Sequence, residues 1–142
     1  MKVNSNKNII NILIEDSDNL DINEFKEYIN RYNERKVVVS QDNELLQINL
    51  QDIILFYSDK KYNYCRTKTG EYKIKNKLYE LENYSNDFIR ISKSCIVNIN
   101  HVISFDIGES GKIVVKLDDN TNEIVSRRKI KNVMNYLDER GI

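Results

Sequence analysis

Three groups of basic residues in the second half of this 142-residue sequence carry the side chains best suited to bind phosphate. The first group, residues 60–77, has seven basic residues and a single acid; the second surrounds Arg90 and Lys93; the third covers residues 127–131. Tyr, Asn and Ser are interleaved with the charges. Lys and Arg bind phosphate oxygens together with small hydroxyl donors, and Arg, Lys and Asn can also reach base edges. The pattern favours a nucleic-acid partner, whereas each group taken alone is equally typical of a solvated surface.

The net charge conceals this concentration. The chain has 22 basic and 22 acidic residues, a formal charge of zero and a pI near 6.6, which argues against a polyanionic partner. Residues 1–56, however, carry six basic and ten acidic side chains, whereas residues 57–142 carry sixteen and twelve. An acidic segment of −4 therefore precedes a basic segment of +4, and the surplus lies in the three groups.

Few residues support an enzyme or a metal site. The sequence has no GxSxG motif, P-loop or glycine-rich dinucleotide fingerprint. The single histidine, His101, is flanked by apolar residues, and Cys65 and Cys95 are too far apart to form a CxxC ligand pair. A calcium loop opening at Asp16 would have Asp21 where a glycine is required. We expect no catalytic residue, no metal and no cofactor, and we expect both cysteines to be reduced.

The apolar segments are short. None approaches the roughly 18–20 residues that cross a bilayer. Residues 1–18 contain a brief Ile/Leu segment without a small-residue cleavage site, so they do not read as a signal peptide. We expect a cytoplasmic protein without membrane insertion.

The first 36 residues predict one strand followed by one helix. Residues 8–15 are rich in isoleucine and alternate in polarity. The segment Asp21–Glu24 has the form of a capping box, in which the cap side chain accepts from the N3 amide. An apolar stripe at helical spacing follows, made of Ile22, Phe25, Ile29 and Tyr32.

From residue 36 onward the apolar period changes to two, which predicts a mostly antiparallel β domain with few short helices. The predicted strands are 37–39, 46–50, 53–57, 62–67, 72–75, 88–91, 96–99, 102–107, 112–117 and 123–125. A short helix is predicted over 77–84, and a last helix begins near Arg128 with Ile130, Val133, Met134 and Leu137 on one face. The basic groups therefore fall in connections, so turns and not a recognition helix would contact a nucleic acid.

The order of these segments resembles the LytTR family of bacterial DNA-binding domains. The resemblance covers about residues 44–142 and is most specific in the string F-I-R-I-S-K-S-C-I-V-N, residues 88–98. Further matches are D-I-I-L-F-Y at 52–57, the Leu-x-x-Leu helix, and I-V-S-R-R at 124–128. The resemblance implies an elongated set of small antiparallel β-sheets.

The resemblance also implies which residues bind DNA, because family members insert loops into successive major grooves. The matching loops are 60–63, 90–94 and 126–128. We predict groove contacts from Lys61, Asn63, Lys93, Arg127 and Arg128, phosphate contacts from Lys60, Tyr62, Ser92, Ser94 and Lys129, and a further contact from Arg90. Asn98 is predicted to fix backbone. The chain departs from the family pattern at Ser92, where a histidine is usual, and at Lys93, where arginine is commoner; lysine is the poorer bidentate partner for guanine.

The resemblance leaves residues 1–36 unassigned, and they are too short for a response-regulator receiver. We expect two units, a strand–helix unit at 1–36 and a LytTR-like domain at 37–142. The first unit either mediates dimerisation or partner contact, or packs on its own β domain. The sequence predicts a double-stranded DNA-binding transcription regulator without a small-molecule substrate, acting as a homodimer or on paired direct repeats. The alternative is an interaction module for a membrane or signalling partner.

Overall fold

The computed structural model describes residues 2–5, 8–11, 21–33 and 35–141. Twelve strands and three α-helices lie in these ranges. The strands are β1 (Lys2–Ser5), β2 (Asn8–Asn11), β3 (Lys36–Gln41), β4 (Glu44–Asn49), β5 (Leu55–Asp59), β6 (Tyr62–Thr67), β7 (Gly70–Ile74), β8 (Phe88–Ser92), β9 (Cys95–Asn98), β10 (Val102–Ile107), β11 (Ile113–Leu117) and β12 (Asn122–Ile124). The helices are α1 (Ile22–Asn33), α2 (Leu78–Glu82) and α3 (Ile130–Glu139), with 3-10 turns at Leu50–Asp52, Ile99–His101 and Arg127–Lys129.

The N-terminal segment forms a two-stranded hairpin and a helix. Strand β2 pairs antiparallel with β1, a strand that the apolar pattern did not indicate, and residues 12–15 of the predicted strand lie outside the described residues. Helix α1 starts where the capping box predicts, because Asp21 Oδ1 accepts from the Glu24 amide at 3.1 Å. Ile22 and Phe25 are half-buried, and the other two stripe side chains lie outside the described part of the chain.

The predicted mostly β architecture is confirmed. Seven antiparallel strands form one sheet in the order β4-β3-β7-β6-β5-β9-β8, and β10-β11-β12 form a second sheet. The resemblance implied several small sheets, and the structure instead joins seven strands into one. Strands β6 and β10 have the predicted bounds, whereas β5 begins two residues later than expected.

Alternate residues of the central strands enter two different cores. Leu55 and Val97 face one side of the large sheet, whereas Phe56 and Ile96 face the other. The first core lies between the large sheet, the small sheet and α3; its buried members are Ile54, Leu55, Ile89, Ile91, Cys95, Val97, Ile113, Val115, Leu117, Val125, Val133 and Leu137. The second core lies under α2; its buried members are Val37, Val39, Leu50, Ile53, Phe56, Cys65, Ile74, Leu78, Leu81, Phe88 and Ile96. Burying both faces makes β5, β8 and β9 the rigid centre of the domain.

Asn98 ties the segment before β5 to the end of β9. Its side-chain amide donates to the carbonyl of Ile53 at 2.9 Å, and its backbone amide donates to the carbonyl of Ile54 at 2.9 Å. Its side-chain oxygen Oδ1 also accepts from the backbone amide of Asn100 at 3.0 Å. The side chain is buried, so it fixes backbone as predicted.

Candidate nucleic-acid interface

The turn between β5 and β6 presents two lysines. Asp59 pairs with Tyr62, so Lys60 and Lys61 form a two-residue connection with both side chains exposed. Lys60 has a φ of +58°, in the left-handed region that side-chain-bearing residues seldom adopt. Two-residue hairpin turns commonly require such a positive φ, and here a lysine adopts it in place of a glycine.

The next two residues have partners within the protein. The ammonium of Lys73 lies 3.8 Å from the centroid of the Tyr62 ring, and that tyrosine is half exposed. The side-chain amide of Asn63 donates to the carbonyl of Asn76 at 2.9 Å. Asn63 thereby holds the connection between β7 and α2, and its predicted groove contact stays a prediction.

The turn between β8 and β9 presents Lys93 and Ser94, both exposed. Ser92 Oγ accepts from the Ser94 amide at 3.3 Å, and the Ser94 carbonyl accepts from the Ser58 amide at 2.9 Å. The second bond joins this turn to the end of β5, one residue from the β5–β6 turn. The two turns therefore lie at the same end of the large sheet.

The third basic segment begins beside β8. The Ser126 amide donates to the carbonyl of Ile91 at 2.8 Å, and the Lys129 amide donates back to the carbonyl of Ser126 at 2.9 Å. The 3-10 turn that results exposes Arg127 and Arg128, and Lys129 is half-buried. The three loops that are far apart in sequence are thus brought to one end of the sheet.

Two lysines at the same end were not among the predicted contacts. Asn63 pairs with Ile74, so β7 ends beside the β5–β6 turn and the exposed Lys75 and Lys77 follow immediately. The high density of lysines over residues 60–77 indicated that Lys75 and Lys77 could take part. The strand register was needed to show which lysines of that segment lie at the same end of the sheet. We call this surface the basic end; its cations are Lys60, Lys61, Lys75, Lys77, Lys93, Arg127, Arg128 and Lys129.

The cations of the basic end are not neutralised by ion pairs with any residue that the structure describes. Within the described residues, none of its eight cations forms an ion pair with an acid. Five of the other eight cations in residues 57–142 are paired: Arg66 with Asp119, Lys68 with Asp118, Arg90 with Glu82, Lys116 with Asp106 and Arg140 with Asp87. The remaining three, Lys73, Lys112 and Lys131, form no ion pair in the described part of the chain. The basic end therefore concentrates, at one end of the sheet, eight cations that are not ion-paired with any described acid.

Part of the first basic group belongs to the opposite end of the sheet. Arg66 and Lys68 flank the β6–β7 turn and reach the connection between β11 and β12. Arg90, a predicted contact, is turned inward, and its side chain is only 17% exposed. The positions of Arg66, Lys68 and Arg90 in the sequence, close to other basic residues, did not indicate that they form ion pairs within the protein.

The remaining candidate chemistry is structural. His101 is buried, with Nδ1 2.8 Å from Asp118 Oδ2 and Nε2 2.6 Å from the carbonyl oxygen of Gln51. Both cysteines are unpaired and buried on opposite faces of the large sheet, and burial raises the pKa of each thiol to about 12. The described residues include no cluster of three or more potential metal ligands, and none of their helices is long and apolar enough to span a membrane.

Known proteins are similar to this chain in sequence and in fold. A family model described as the LytTr DNA-binding domain matches residues 43–138. An uncharacterized HTH-type transcriptional regulator of Staphylococcus aureus (strain NCTC 8325 / PS 47) is 36% identical over 97 residues, which are 68% of this chain and 66% of that protein. A counterpart in strain bovine RF122 / ET3-1 is 35% identical over 97 residues. The chain therefore spans just under two thirds of the length of these relatives.

A solved structure agrees in fold. The LytTr DNA-binding domain of a Bacillus cereus response regulator superimposes with a TM-score of 0.68 at 19% identity, covering 72% of this chain and 95% of the other. Although the relatives are called HTH-type, five strands separate α2 from α3 here, and the described residues contain no helix-turn-helix. The family model covers more than half of the sequence, and the fold of the same residues agrees with it. The chain belongs to the LytTR family of DNA-binding domains.

Proposed function

We propose that this protein is a transcription regulator that binds double-stranded DNA in a sequence-specific manner through the basic end. The observation that carries the proposal is the set of eight cations gathered at one end of the sheet without internal ion pairs. Phosphates would relieve the mutual repulsion of these cations without breaking a salt bridge. The names of the Staphylococcus aureus relatives support a role in transcription.

The turns, and not the helices, are the elements available to enter a groove. Helix α2 has five residues and buries Leu78 and Leu81. Helix α3 buries Val133 and Leu137 against the first core. In contrast, Lys61, Lys93 and Arg128 are exposed at the tips of rigid hairpins or at a helix start, where Lys and Arg can reach base edges.

The dimensions of the basic end support contact with successive major grooves. Five strand spacings separate β7, with its two lysines, from the segment beside β8, which is about 24 Å at roughly 4.8 Å per spacing. Extended side chains at both ends add to this distance, which brings it closer to the helical repeat of B-form DNA, about 34 Å. Lys75 and Lys77 would then serve one flank and Arg127 and Arg128 the other.

An electrophoretic mobility shift with the region upstream of the protein's own gene tests the proposal. We expect retardation at about 50 mM salt and an affinity lower by about 10³-fold or more at about 200 mM, the loss typical of six or more phosphate contacts. The double variant Lys93→Gln/Arg128→Gln should bind weakly. The matched control Lys112→Gln/Lys116→Gln removes the same charge from the β10–β11 hairpin and should bind normally.

The competing function is an interaction module for a protein partner. Three isoleucines of the small sheet favour it, since Ile103, Ile107 and Ile124 are 66%, 62% and 53% exposed. No retardation of the unmodified chain at either salt concentration, with this duplex and with random-sequence duplex, would decide for this alternative.

A further inference from the structure

We infer that Arg90 is a positioning residue that fixes the β8–β9 turn so that Lys93 points at DNA, and that it makes no DNA contact itself. The inference rests on the proposed function and concerns the second loop of the basic end. It replaces the contact predicted for Arg90 from the sequence.

The guanidinium of Arg90 closes the turn from inside. Its Nε donates to the carbonyl of Ser92 at 2.9 Å, and its Nη2 donates to the carbonyl of Lys93. Its Nη1 lies 3.4 Å from Glu82 Oε2 on α2. One planar group thus links the residue that precedes the turn, the turn itself and a helix of the second core.

A register shift explains why the turn needs this support. The pairing of β8 with β9 is regular up to Arg90 and Ile96 and then jumps to Ser92 and Cys95, which leaves Ile91 without a partner in β9. Ile91 is buried in the first core, and its carbonyl accepts from Ser126. The bulge therefore fixes the third basic segment on one side, and Arg90 fixes the β8–β9 turn on the other.

The same contacts argue against a phosphate contact by Arg90. All three nitrogens of the guanidinium are engaged with acceptors of the protein, and 17% of the side chain is exposed. Reaching a phosphate would leave the carbonyls of Ser92 and Lys93 without these donors, which is costly for partly buried groups. A lysine at this position keeps the charge but lacks the rigid fork that serves two carbonyls at once.

A double-mutant cycle between Arg90→Lys and Lys93→Ala separates positioning from direct contact. The probe is a duplex that the unmodified chain selects from a random-sequence pool. If Arg90 acts through Lys93, each single variant should lose about tenfold in specific affinity, and the double variant should lose no more than Lys93→Ala alone. The inference would be overturned if the double variant lost the product of the two single-variant losses in affinity. It would also be overturned if Arg90→Lys bound with the affinity of the unmodified chain.

Hydrogen exchange in the free protein provides a readout that does not depend on DNA. We expect Arg90→Lys to speed exchange of the Ser94 and Ser58 amides, whereas the Asn98 amide in the rigid centre should be unchanged. Glu82→Gln weakens only the tether to α2, because it removes the charge of the acceptor, and should give a smaller acceleration. This milder variant is the one to measure if Arg90→Lys lowers overall stability. Unchanged exchange at Ser94 and Ser58 in Arg90→Lys would also overturn the inference. If the unmodified chain selects no duplex, the proposed function fails, and exchange alone decides whether Arg90 holds the turn.

Discussion

Neighbouring cations at the start of α3 have different surroundings and should have different roles. Arg128 is exposed, whereas Lys129 is half-buried and its backbone amide donates to the Ser126 carbonyl. We expect Arg128→Ala to relax base preference, because a bidentate donor to a base edge is lost. Lys129→Ala should weaken all duplexes alike and lower the salt slope by about one, as expected for one phosphate contact. Competition against duplexes with single base-pair changes, repeated over a range of salt, measures both; equal losses on specific and random duplex for both variants would contradict this division.

Lys60 combines a charge suited to phosphate with an unfavourable backbone conformation. At a φ of +58° the Cβ of Lys60 crowds the backbone, and a glycine would relieve this strain. The greater backbone entropy of glycine in the unfolded state offsets part of the gain. Lys60→Gly should therefore raise the free energy of unfolding by about 0.5 kcal/mol. The same change should lower duplex affinity, because a cation leaves the basic end. Urea unfolding and duplex titration of one protein sample check the two effects together.

A control for this substitution lies in the β3–β4 turn. Asn43 also has a positive φ, +68°, but it carries no charge. Strand β3 runs antiparallel to β7, with Ser40 opposite Lys73. Because β7 runs toward the basic end, β3 runs away from it, and the turn that follows β3 lies at the opposite end of the sheet. Asn43→Gly should leave duplex affinity unchanged; a comparable loss of affinity there would show that hairpin flexibility, and not charge, is responsible.

At the scale of elements, the ion pair between Arg66 and Asp119 helps to join the two sheets. Arg66 of β6 contacts Asp119 Oδ2 through Nε at 2.9 Å, and its Nη2 donates to Thr121 Oγ1 at 2.6 Å. Thr121 also donates to Asp119 from its hydroxyl and its amide. Burial acts to raise the pKa of Asp119, but the hydrogen bonds from Thr121 and the charge of Arg66 together hold it below its usual value.

Removing this carboxylate should change stability in a pH-dependent manner. A depressed folded-state pKa means that ionised Asp119 stabilises the fold above its unfolded value near 3.8, and that this contribution is lost as the pH falls through the lower, folded value. Asp119→Asn should therefore cost about 2 kcal/mol at pH 7, the worth of a hydrogen bond to a charged group. The difference from the unmodified chain should shrink below about pH 4. Denaturant unfolding at pH 7 and pH 3 measures both values.

Asp106 provides the comparison for Asp119. A hydrogen bond from Lys116, at 2.9 Å, also lowers its pKa, but both side chains are about half exposed. Asp106→Asn should therefore change stability little at either pH, because solvent screens an exposed pair. A loss as large as that of Asp119→Asn would show that general surface charge, and not the junction of the sheets, determines the effect.

The elements themselves were largely predictable from the sequence, and their long-range contacts were not. Alternating polarity located β6 and β10 to the residue, because a strand with one buried face must alternate. Strand β1 was not predicted, because Lys2–Ser5 has no alternating apolar residues. The inward turn of Arg90 depends on a register shift in β8, and the partner of Arg66 lies 53 positions away, so neither follows from local spacing.

For the whole molecule, the described cores identify the part of the chain that should fold alone. Every buried member of both cores lies at residue 37 or beyond, and the Arg35 carbonyl accepts from the Leu50 amide at 2.7 Å. A chain starting at Arg35 keeps all of these contacts. We propose that residues 35–142 fold independently and that the preceding unit joins two copies of the protein.

The arrangement of two copies constrains the DNA site. A two-fold dimer that holds its β domains rigidly would present its basic ends to inverted half-sites. Paired direct repeats, one of the arrangements predicted from the sequence, instead require β domains that can turn relative to the dimer contact. Comparing direct and inverted pairs of the selected half-site with the intact chain distinguishes the two, and tighter binding to the inverted pair would exclude the direct-repeat proposal.

Deleting residues 1–34 should separate dimerisation from DNA contact. We expect the shortened chain to be monomeric by light scattering, to unfold cooperatively, and to bind a single half-site as well as the intact chain does, since the basic end is complete. It should lose the additional affinity for paired half-sites, because linking two binding modules raises the effective concentration of the second. A shortened chain that stays dimeric would place the dimer contact in residues 35–142 and not in the preceding unit. An intact chain that is already monomeric would remove the dimer from the proposal and favour packing of the apolar stripe of α1 on its own β domain.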